Sequence, residues 1–177
     1  MDQKEQLIED DSEEAANPAR GALSLALAPA RISIGQSKVS LNWRLTMTNT
    51  GDAHVVSLRI WSDLVSAHSS IPSNEQLGGP DMADAQPQAI PLLAPGEKES
   101  LAGEWHLMRD EVRPVDNAPD RLILPLARFR LVGAGMLPFR MAFIIGNPPK
   151  PNDNRLRALQ LDGGLKIHSR LAARAIW

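Results

Sequence analysis

The segment KVSLNWRLTMTN at positions 38–49 alternates apolar and polar side chains along its whole length. The apolar set is Val39, Leu41, Trp43, Leu45 and Met47, and polar or charged residues lie between them. A period of two is typical of a β-strand, because successive side chains of a strand point to opposite faces. The segment therefore predicts a strand with one face in a core and the other in water.

The residues that follow predict a hairpin. TNTGDA, at 48–53, contains Gly51, which accepts positive φ, and Asn49, whose side chain can bond its own backbone. HVVSLRIWSDLV comes next, with Val56, Leu58 and Ile60 on one face. We expect this strand to pair with the first one as its neighbour in an antiparallel sheet.

Further segments carry the same kind of pattern. GALSLALAPARISI predicts an earlier strand, with Pro29 marking an edge position or a bulge. AIPLLAPGEKESLAGEWHL contains a turn at Pro95 and Gly96. The strand after that turn has three large apolar residues on one face, namely Leu101, Trp105 and Leu107.

Two more strands are predicted in the last third of the chain, in LILPLARFRLVG and FRMAFIIG. The first places Arg128 and Arg130 on the face opposite Ala127, Phe129 and Leu131, so both arginines are expected in solvent. Beyond them, Gly163-Gly164 predicts a hairpin in which 159–161 pairs with 165–167. The last nine residues fit either a strand or a short helix with one apolar stripe.

Seven to nine short strands without long amphipathic helices between them predict an all-β fold, an antiparallel sandwich. We expect one domain over 21–177, because 177 residues suffice for one core. Residues 1–20 are acidic and poor in large apolar side chains, which predicts a flexible tail or a short frayed helix.

Charge is divided unevenly along the chain, although its formal net value is only -2. Residues 1–14 hold seven acidic residues and one lysine, whereas residues 121–177 hold ten basic residues and two acidic ones. A basic final third suits an acidic partner, a phosphate-rich surface or the protein's own acidic tail. The simpler interpretation is that these arginines lie on the solvent faces of strands. No cysteine is present, so disulfides and thiolate chemistry are excluded.

LTMTNTGDA, followed by LLAPGEKESL, is similar to a pattern of bacterial immunoglobulin-like modules, over about residues 35–110. WSDLVSAHSSIPSNEQL, LPLARFRL, FIIGNPP and ALQLDGGLKIHSRL resemble a group of alphaproteobacterial proteins in which such a sandwich follows a membrane anchor. The resemblance implies an immunoglobulin-like sandwich and a periplasmic or membrane-anchored location. It implies no catalytic residues. Because an acidic segment stands where the anchor would be, membrane attachment is expected only through a missing anchor or a partner.

The densest set of reactive side chains lies in WSDLVSAHSS, which we expect to begin a long loop over 62–90. Ser62, Asp63 and His68 are residue types of a hydrolase, provided that the fold brings a nucleophile to a base. No nucleophile-elbow motif accompanies them. The simpler interpretation is a loop capped by Asp63, with His68 over the end of the sandwich.

Other site classes have little support in the sequence. The four histidines are scattered and no metal-ligand spacing is present, so we expect no metal and no cofactor. Aromatic residues make up 4% of the chain and few are placed among the arginines, so nucleic acid is not expected. A carbohydrate-binding module would require Trp61, Trp105 or Trp177 on an exposed flat face.

These patterns favour a non-catalytic protein-interaction or scaffold module of a bacterial envelope or membrane-associated assembly. The hydrolase and the carbohydrate-binding module are the alternatives. The partner is expected to be a protein, recognised through the loop 62–90 or the basic C-terminal strands. Trp177 is expected either to dock against the domain or to be exposed as an anchor for the partner. The candidate contact residues are Arg128, Arg130, Arg140, Arg155, Arg157 and Trp177.

Overall fold

A computed structural model describes residues 22–77, 86–115 and 121–176. The predicted tail 1–20, part of the predicted loop 62–90 and Trp177 lie outside these residues. The elements in chain order are β1 (Leu23–Ile34), β2 (Lys38–Asn49), β3 (Val55–Ser66), α1 (Ser73–Gln76), β4 (Gln88–Leu93), β5 (Lys98–Met108), β6 (Leu122–Ile123), β7 (Pro125–Ala134), β8 (Phe139–Gly146), β9 (Leu159–Gln160), β10 (Lys166–His168) and β11 (Ala172–Ile176).

The strands form two facing antiparallel sheets and a small third one. The four-stranded sheet has the order β10-β1-β2-β5, and the five-stranded sheet has the order β11-β8-β7-β3-β4. β6 and β9 form the two-stranded sheet. The predicted all-β antiparallel sandwich is confirmed, and nine of the strands belong to its two facing sheets.

The core lies between the two facing sheets and follows the period-two pattern of the sequence. The alternate apolar residues of β2 are all buried. Trp43 is 5% exposed and stacks on Trp105 of β5 with 4.3 Å between ring centroids. Phe129 of β7 meets both indole rings edge-on from the other sheet. Burying each such side chain contributes about 1.5–3 kcal/mol, and each ring contact adds about 0.5–1.5 kcal/mol.

The connection between β2 and β3 is not the predicted hairpin. β2 pairs with β1 and β5, whereas β3 pairs with β4 and β7, so the TNTGDA segment crosses from one sheet to the other. Asn49 is fully buried at this crossing, and its Nδ2 donates to the carbonyl oxygens of Ala53 and Leu93. The predicted bond of Asn49 to its own backbone is present, from Gly51 N at 3.0 Å. Gly51 is not among the positive-φ glycines.

A bulge near the start of β3 changes which residues face the core. The register shifts between Val56 and Arg59, so that Ser57 and Leu58 together oppose Gly133 of β7. Ser57 has φ 52, in the left-handed region that few residues other than glycine adopt. Val56 was expected beside Leu58 and Ile60 on the inner face, but the bulge turns it outward, where it is 41% exposed.

Two smaller turn predictions are confirmed. The register of β1 against β2 shifts between Pro29 and Arg31, which is the predicted bulge. Pro95 and Gly96 form the predicted turn, with Gly96 at φ 78 and Glu97 N donating to Ala94 O.

The last third pairs differently from the prediction. Gly163 and Gly164 do turn the chain, with φ 101 and φ 85, but β9 pairs with β6 and β10 pairs with β1. The hairpin of 159–161 with 165–167 is therefore wrong. The final residues form β11 against β8 rather than a helix. Because β9 and β10 are only two and three residues long, their pairing is decided by distant strands and not by the turn between them.

Within the described ranges, no helix has the length and apolar composition that crossing a bilayer requires.

Candidate functional site

Ser62 and Asp63 belong to β3 and not to the loop where the sequence placed them. After the bulge, inner and outer positions alternate again, so these two neighbours point to opposite faces of the five-stranded sheet. Ser62 faces the core, where its Oγ accepts a hydrogen bond of 3.1 Å from Trp105 Nε1. Asp63 lies on the outer face, where Arg128 is its partner across the strands.

The Asp63–Arg128 pair is a structural contact in which the arginine is buried and the carboxylate is partly exposed. Arg128 Nε donates to Asp63 Oδ1 at 2.8 Å, and Nη2 donates to Oδ2 of the same carboxylate. Its Nη1 donates to the carbonyl oxygen of Glu75 at 2.8 Å. Arg128 is only 6% exposed, so the expectation that it lies in solvent is wrong. Alternation places it correctly on the outer face, but a folded-back segment covers that part of the face.

His68 lies beyond the end of β3 and has a separate set of contacts. Its Nδ1 is 2.6 Å from Ser70 Oγ and accepts a hydrogen bond from Ser70 N. A cleft of about 360 Å³ beside β3 is lined by Asp63 and Arg128, but Ser62 and His68 are not among its described lining residues. The three groups of the hydrolase alternative thus have three different partners and do not converge on one cleft.

The outer face of the five-stranded sheet has a covered half. Leu126 and Ala142 on this half are fully buried, although neither belongs to the core between the sheets. Segment 67–77, which contains α1, lies over it and is held by Arg128 through the bond to Glu75. Gln76 Nε2 closes the segment on itself by donating to the carbonyl oxygens of His68 and Ile71.

The other half of this outer face is open and carries three arginines. Trp61 of β3 pairs with Arg130 of β7, and Arg130 pairs with Arg140 of β8, so the three side chains form one row across three strands. Arg59 lies two residues before Trp61 on the same face. We call Arg59, Trp61, Arg130 and Arg140 the arginine–tryptophan face.

Trp61 holds two of these arginines by its ring. The guanidinium carbons of Arg59 and Arg130 lie 5.6 Å and 5.4 Å from the ring centroid, within the range of a cation–π contact. The indole Nε1 of Trp61 is buried and has no acceptor among the described residues. The ring is therefore flanked by cations and is not a bare flat platform of the kind that stacks against a sugar.

No carboxylate of the described residues forms an ion pair with the arginines of this face. The described arginine ion pairs lie elsewhere, between Arg128 and Asp63 and from Arg109 and Arg121 to Asp162. Arg130 and Arg140 stand directly opposite each other, and like charges in that arrangement destabilise a sheet. A local excess of positive charge is the main electrostatic property of this surface.

An apolar groove of about 620 Å³ adjoins the arginine–tryptophan face. It lies between β4, the bulge of β3 and the end of β7, and its lining includes Ala89, Pro91, Val132 and Ala134, as well as Arg59. Gly133 lies against the start of β3, where an added Cβ would be 3.1 Å from Val55 Cγ1 and 3.3 Å from Val56 O. The surface thus offers an apolar recess next to fixed cations.

The remaining predicted contact residues lie away from this face. Arg155 and Arg157 belong to the segment after β8, where Arg157 Nε donates to Pro148 O at 3.0 Å and its backbone bridges to Asn147. Trp177 lies outside the described residues. Within the described ranges, no group of three His, Asp or Glu side chains is placed to hold a metal ion.

Sequence reasoning selected Arg130 and Arg140 but missed Arg59, and it considered Trp61 only as a sugar platform. The signal was present in RIW, where Arg59 and Trp61 alternate with the buried Ile60. The sequence does not show the strand register that pairs Trp61 with Arg130.

Comparisons with known proteins add little to this geometry. No protein-family model matches the chain, and no curated protein matches it. A crystal structure described as "Putative ApaA Protein" from Bordetella pertussis is similar at 15% identity, with a TM-score of 0.36, over 69% of this chain and 88% of that chain.

Proposed function

We propose that the protein is a non-catalytic interaction module that binds an acidic segment of a partner protein through its arginine–tryptophan face. The observation that carries this proposal is the row Trp61–Arg130–Arg140, completed by Arg59, which has no carboxylate partner among the described residues. Arginine and tryptophan are also the residue types that most often dominate the energy of protein interfaces.

The charge arrangement supports an anionic partner. Each exposed Arg–carboxylate contact contributes about 0.2–1 kcal/mol, so three arginines in one small area give a modest but additive attraction. Arginines already stacked on Trp61 lose less side-chain freedom on binding, because the ring holds their guanidinium groups in place. A carboxylate between Arg130 and Arg140 would also relieve the repulsion of two opposed cations.

The groove next to the arginines supports a peptide over a small inorganic anion. An acidic segment with one or two apolar side chains could place those side chains against Pro91 and Val132 while its carboxylates meet the arginines. Interfaces commonly combine an apolar centre with a charged rim in this way.

The proposal also includes the fold family and the cellular location of the module. The sequence resemblance supports an immunoglobulin-like sandwich in a bacterial envelope or membrane-associated assembly, attached through an anchor or a partner. The arginine–tryptophan face would then be the surface through which the module contacts another protein of that assembly.

The test is a comparison of three baits in a nuclease-treated lysate of the native cell. The first bait is the unchanged chain, the second carries Arg130→Gln and Arg140→Gln, and the third carries Arg31→Gln and Arg44→Gln. The third is a matched control, because it removes the same charge from exposed positions of the other sheet. We expect an acidic protein retained by the first and third baits and lost by the second. Equal retention of the acidic protein by all three baits would overturn the proposal. Retention that occurs only when the nuclease is omitted would also overturn it.

A further inference from the structure

The two facing sheets end in four edge strands, and three of these are poorly suited to pairing with another chain. β10 and β11 are only three and five residues long, and β4 contains Pro91, which has no N–H group to donate. β5 is the fourth edge strand, and it has eleven residues without a proline. Its register against β2 runs from Met108 to Lys98 without a shift. β5 is therefore a long and regular edge, of the kind that proteins usually shorten, distort or cover.

The two ends of the β2–β5 ladder show which backbone groups of β5 point away from β2. Arg109 N donates to Ser37 O, and Glu97 O accepts a hydrogen bond from the last residue of β2. Odd-numbered residues of β5 therefore turn their N–H and C=O groups toward β2, and even-numbered residues turn theirs to the open side. Met108 agrees with this direction, because its N–H and C=O groups bond to Glu111 and not to β2.

The even-numbered residues before Met108 form an open row of hydrogen-bonding groups. In the described part of the chain, no hydrogen bond reaches their N–H or C=O groups from the open side. The side chains of the same residues are exposed on the outer face of the four-stranded sheet. These residues are Lys98, Ser100, Ala102, Glu104 and His106. Such a row offers a template for one further strand.

We propose that β5 pairs with β5 of a second copy of this chain, antiparallel and about a two-fold axis that passes between the two Leu101 residues. The two four-stranded sheets then continue as one sheet of eight strands. In this register Lys98 stands opposite the partner's Glu104, and Ser100 stands opposite the partner's Ala102. The arginine–tryptophan face lies on the outer side of the other sheet, so the pairing leaves it open and does not depend on the proposed function.

The charges of β5 favour a second copy as the occupant, and they select the register. Lys98 and Glu104 lie on the same outer face, six residues apart within the open row. An antiparallel copy places each lysine opposite a glutamate, and the two-fold axis makes this ion pair twice. Only even-numbered residues offer backbone groups to the open side, so the register can shift only in steps of two. Either such shift would place Lys98 opposite Ala102 or His106, and both ion pairs would be lost.

The centre and the ends of the pairing also fit the surroundings of β5. Leu101 is partly buried against the core and would contact its own copy on the inner side. Before Lys98 the chain turns away toward β4 of the other sheet, and at Met108 the bonds to Glu111 already close the edge. Pairing over 98–104 avoids both ends. An interface of this size is small, so we expect a dissociation constant in roughly the micromolar range or weaker.

Sedimentation equilibrium of the full chain measures the dimer directly. The apparent mass should rise from 19.3 kDa in dilute solution toward twice that value as the protein concentration increases. A protein that stays monomeric up to roughly 1 mM would overturn the inference.

Charge reversal tests whether the dimer uses β5 in the proposed register. Lys98→Glu and Glu104→Lys each replace two attractive pairs with two repulsive ones, so each should raise the dissociation constant about tenfold or more. An equal mixture of the two variants should dimerise again, because every lysine then meets a glutamate. Arg31→Glu makes the same change of charge on β1, which β2 separates from the edge, and should have little effect.

The mixture also serves as a control for folding, because misfolded chains would not restore one another. Dimerisation of both single variants at the strength of the unchanged chain would place the contact elsewhere and overturn the inference. A mixture that stays as monomeric as its two components would overturn it as well.

NMR on a mixture of differently labelled copies locates the pairing by residue. The α-protons of Glu99 and the partner's Gly103 should show a close contact, since these residues form a non-hydrogen-bonded pair in the proposed register. Within one chain the two residues are about 13 Å apart. Amide exchange should slow with protein concentration at Ser100 and Ala102 and stay unchanged at Leu101, which already bonds to β2. Contacts in another register would overturn the inference. Slower exchange at Ser100 and Ala102 only after an extended segment of another protein is added would assign the edge to that protein, and would also overturn it.

Discussion

Arg128 and Arg130 lie two residues apart on the same face of β7, but their surroundings are opposite. Arg128 is 6% exposed, forms two bonds with Asp63 and donates to the backbone of α1. Arg130 is partly exposed, packs on the Trp61 ring and stands opposite Arg140. The boundary between the covered half and the open half of the outer face runs between these two residues.

The residue of β3 that stands opposite each arginine accounts for the difference in their burial and pairing. Opposite Arg128 stands Asp63, whose carboxylate neutralises the guanidinium and allows a segment to pack over it. Opposite Arg130 stands Trp61, which holds the side chain, and no carboxylate of the described residues forms an ion pair with it. A buried arginine that is paired stabilises the fold, whereas a stacked arginine without a carboxylate is available to a ligand.

The largest expected effect comes from breaking the covered half. Arg128→Met leaves the Asp63 carboxylate without its partner under segment 67–77, and removal of one member of a buried pair costs about 3 kcal/mol. We take the lower end of the usual range because the Asp63 side chain is 33% exposed. Urea unfolding should show the loss as a lower midpoint with an unchanged slope. The matched variant Arg130→Met should lose less than about 1 kcal/mol, and equal losses would refute the comparison.

A more conservative change should loosen the cover without unfolding the protein. Arg128→Lys keeps the charge but cannot form the two-pronged contact with Asp63 and reach Glu75 O as well. We expect a loss of about 1–2 kcal/mol. Hydrogen exchange should become faster at Leu77, whose amide bonds to Ser73 O, and stay unchanged in β2. Unchanged exchange at Leu77 would show that Arg128 does not hold the segment.

The contact between Trp61 and Arg130 should be measurable but small. A double-mutant cycle with Trp61→Leu and Arg130→Gln isolates it, and a cation–π contact at a partly exposed site should give a coupling of about 0.5–1 kcal/mol. The same cycle with Trp61 and Arg31, which lies in the other sheet, should give no coupling. A coupling of zero in the first cycle would mean that the ring does not hold Arg130.

Stability should hardly change when the open half loses its charge. The double variant Arg130→Gln with Arg140→Gln should differ from the unchanged chain by less than about 0.5 kcal/mol, because neither guanidinium has a described ion pair. The lost contact between Arg130 and Trp61 is expected to be offset by the removal of two opposed cations. Unfolding in low salt measures this best, and a loss above about 1 kcal/mol would show that these arginines are structural.

The sequence predicts the faces of the strands better than their partners. Period-two alternation identifies the buried residues of β2, because each of them contributes to one side of a pleated strand. It does not show which sheet a strand belongs to. β2 and β3 both turn apolar faces to the same core from opposite sheets, and the bond of Asn49 to Leu93 O, far along the chain, accompanies that crossing.

The candidate face was predictable only in part. Arg130 and Arg140 were selected as contact residues from the basic last third, and their role in binding stays a prediction. Their relation to Trp61 depends on the β3–β7 register, which the bulge at Ser57 sets. The burial of Arg128 depends on how segment 67–77 folds back, and no local pattern in the sequence indicates that.

The most direct test of the account is an NMR titration of the protein with an oligo-glutamate peptide, followed through the indole and arginine side-chain signals. We predict that the Nε signals of Arg59, Arg130 and Arg140 and the indole signal of Trp61 shift together. The indole signals of the buried Trp43 and Trp105, and the Nε signals of Arg128 and Arg44, should stay in place. Shifts spread equally over both sheets, or none at Trp61 and Arg130, would contradict the claim that the open half of this face binds acidic segments.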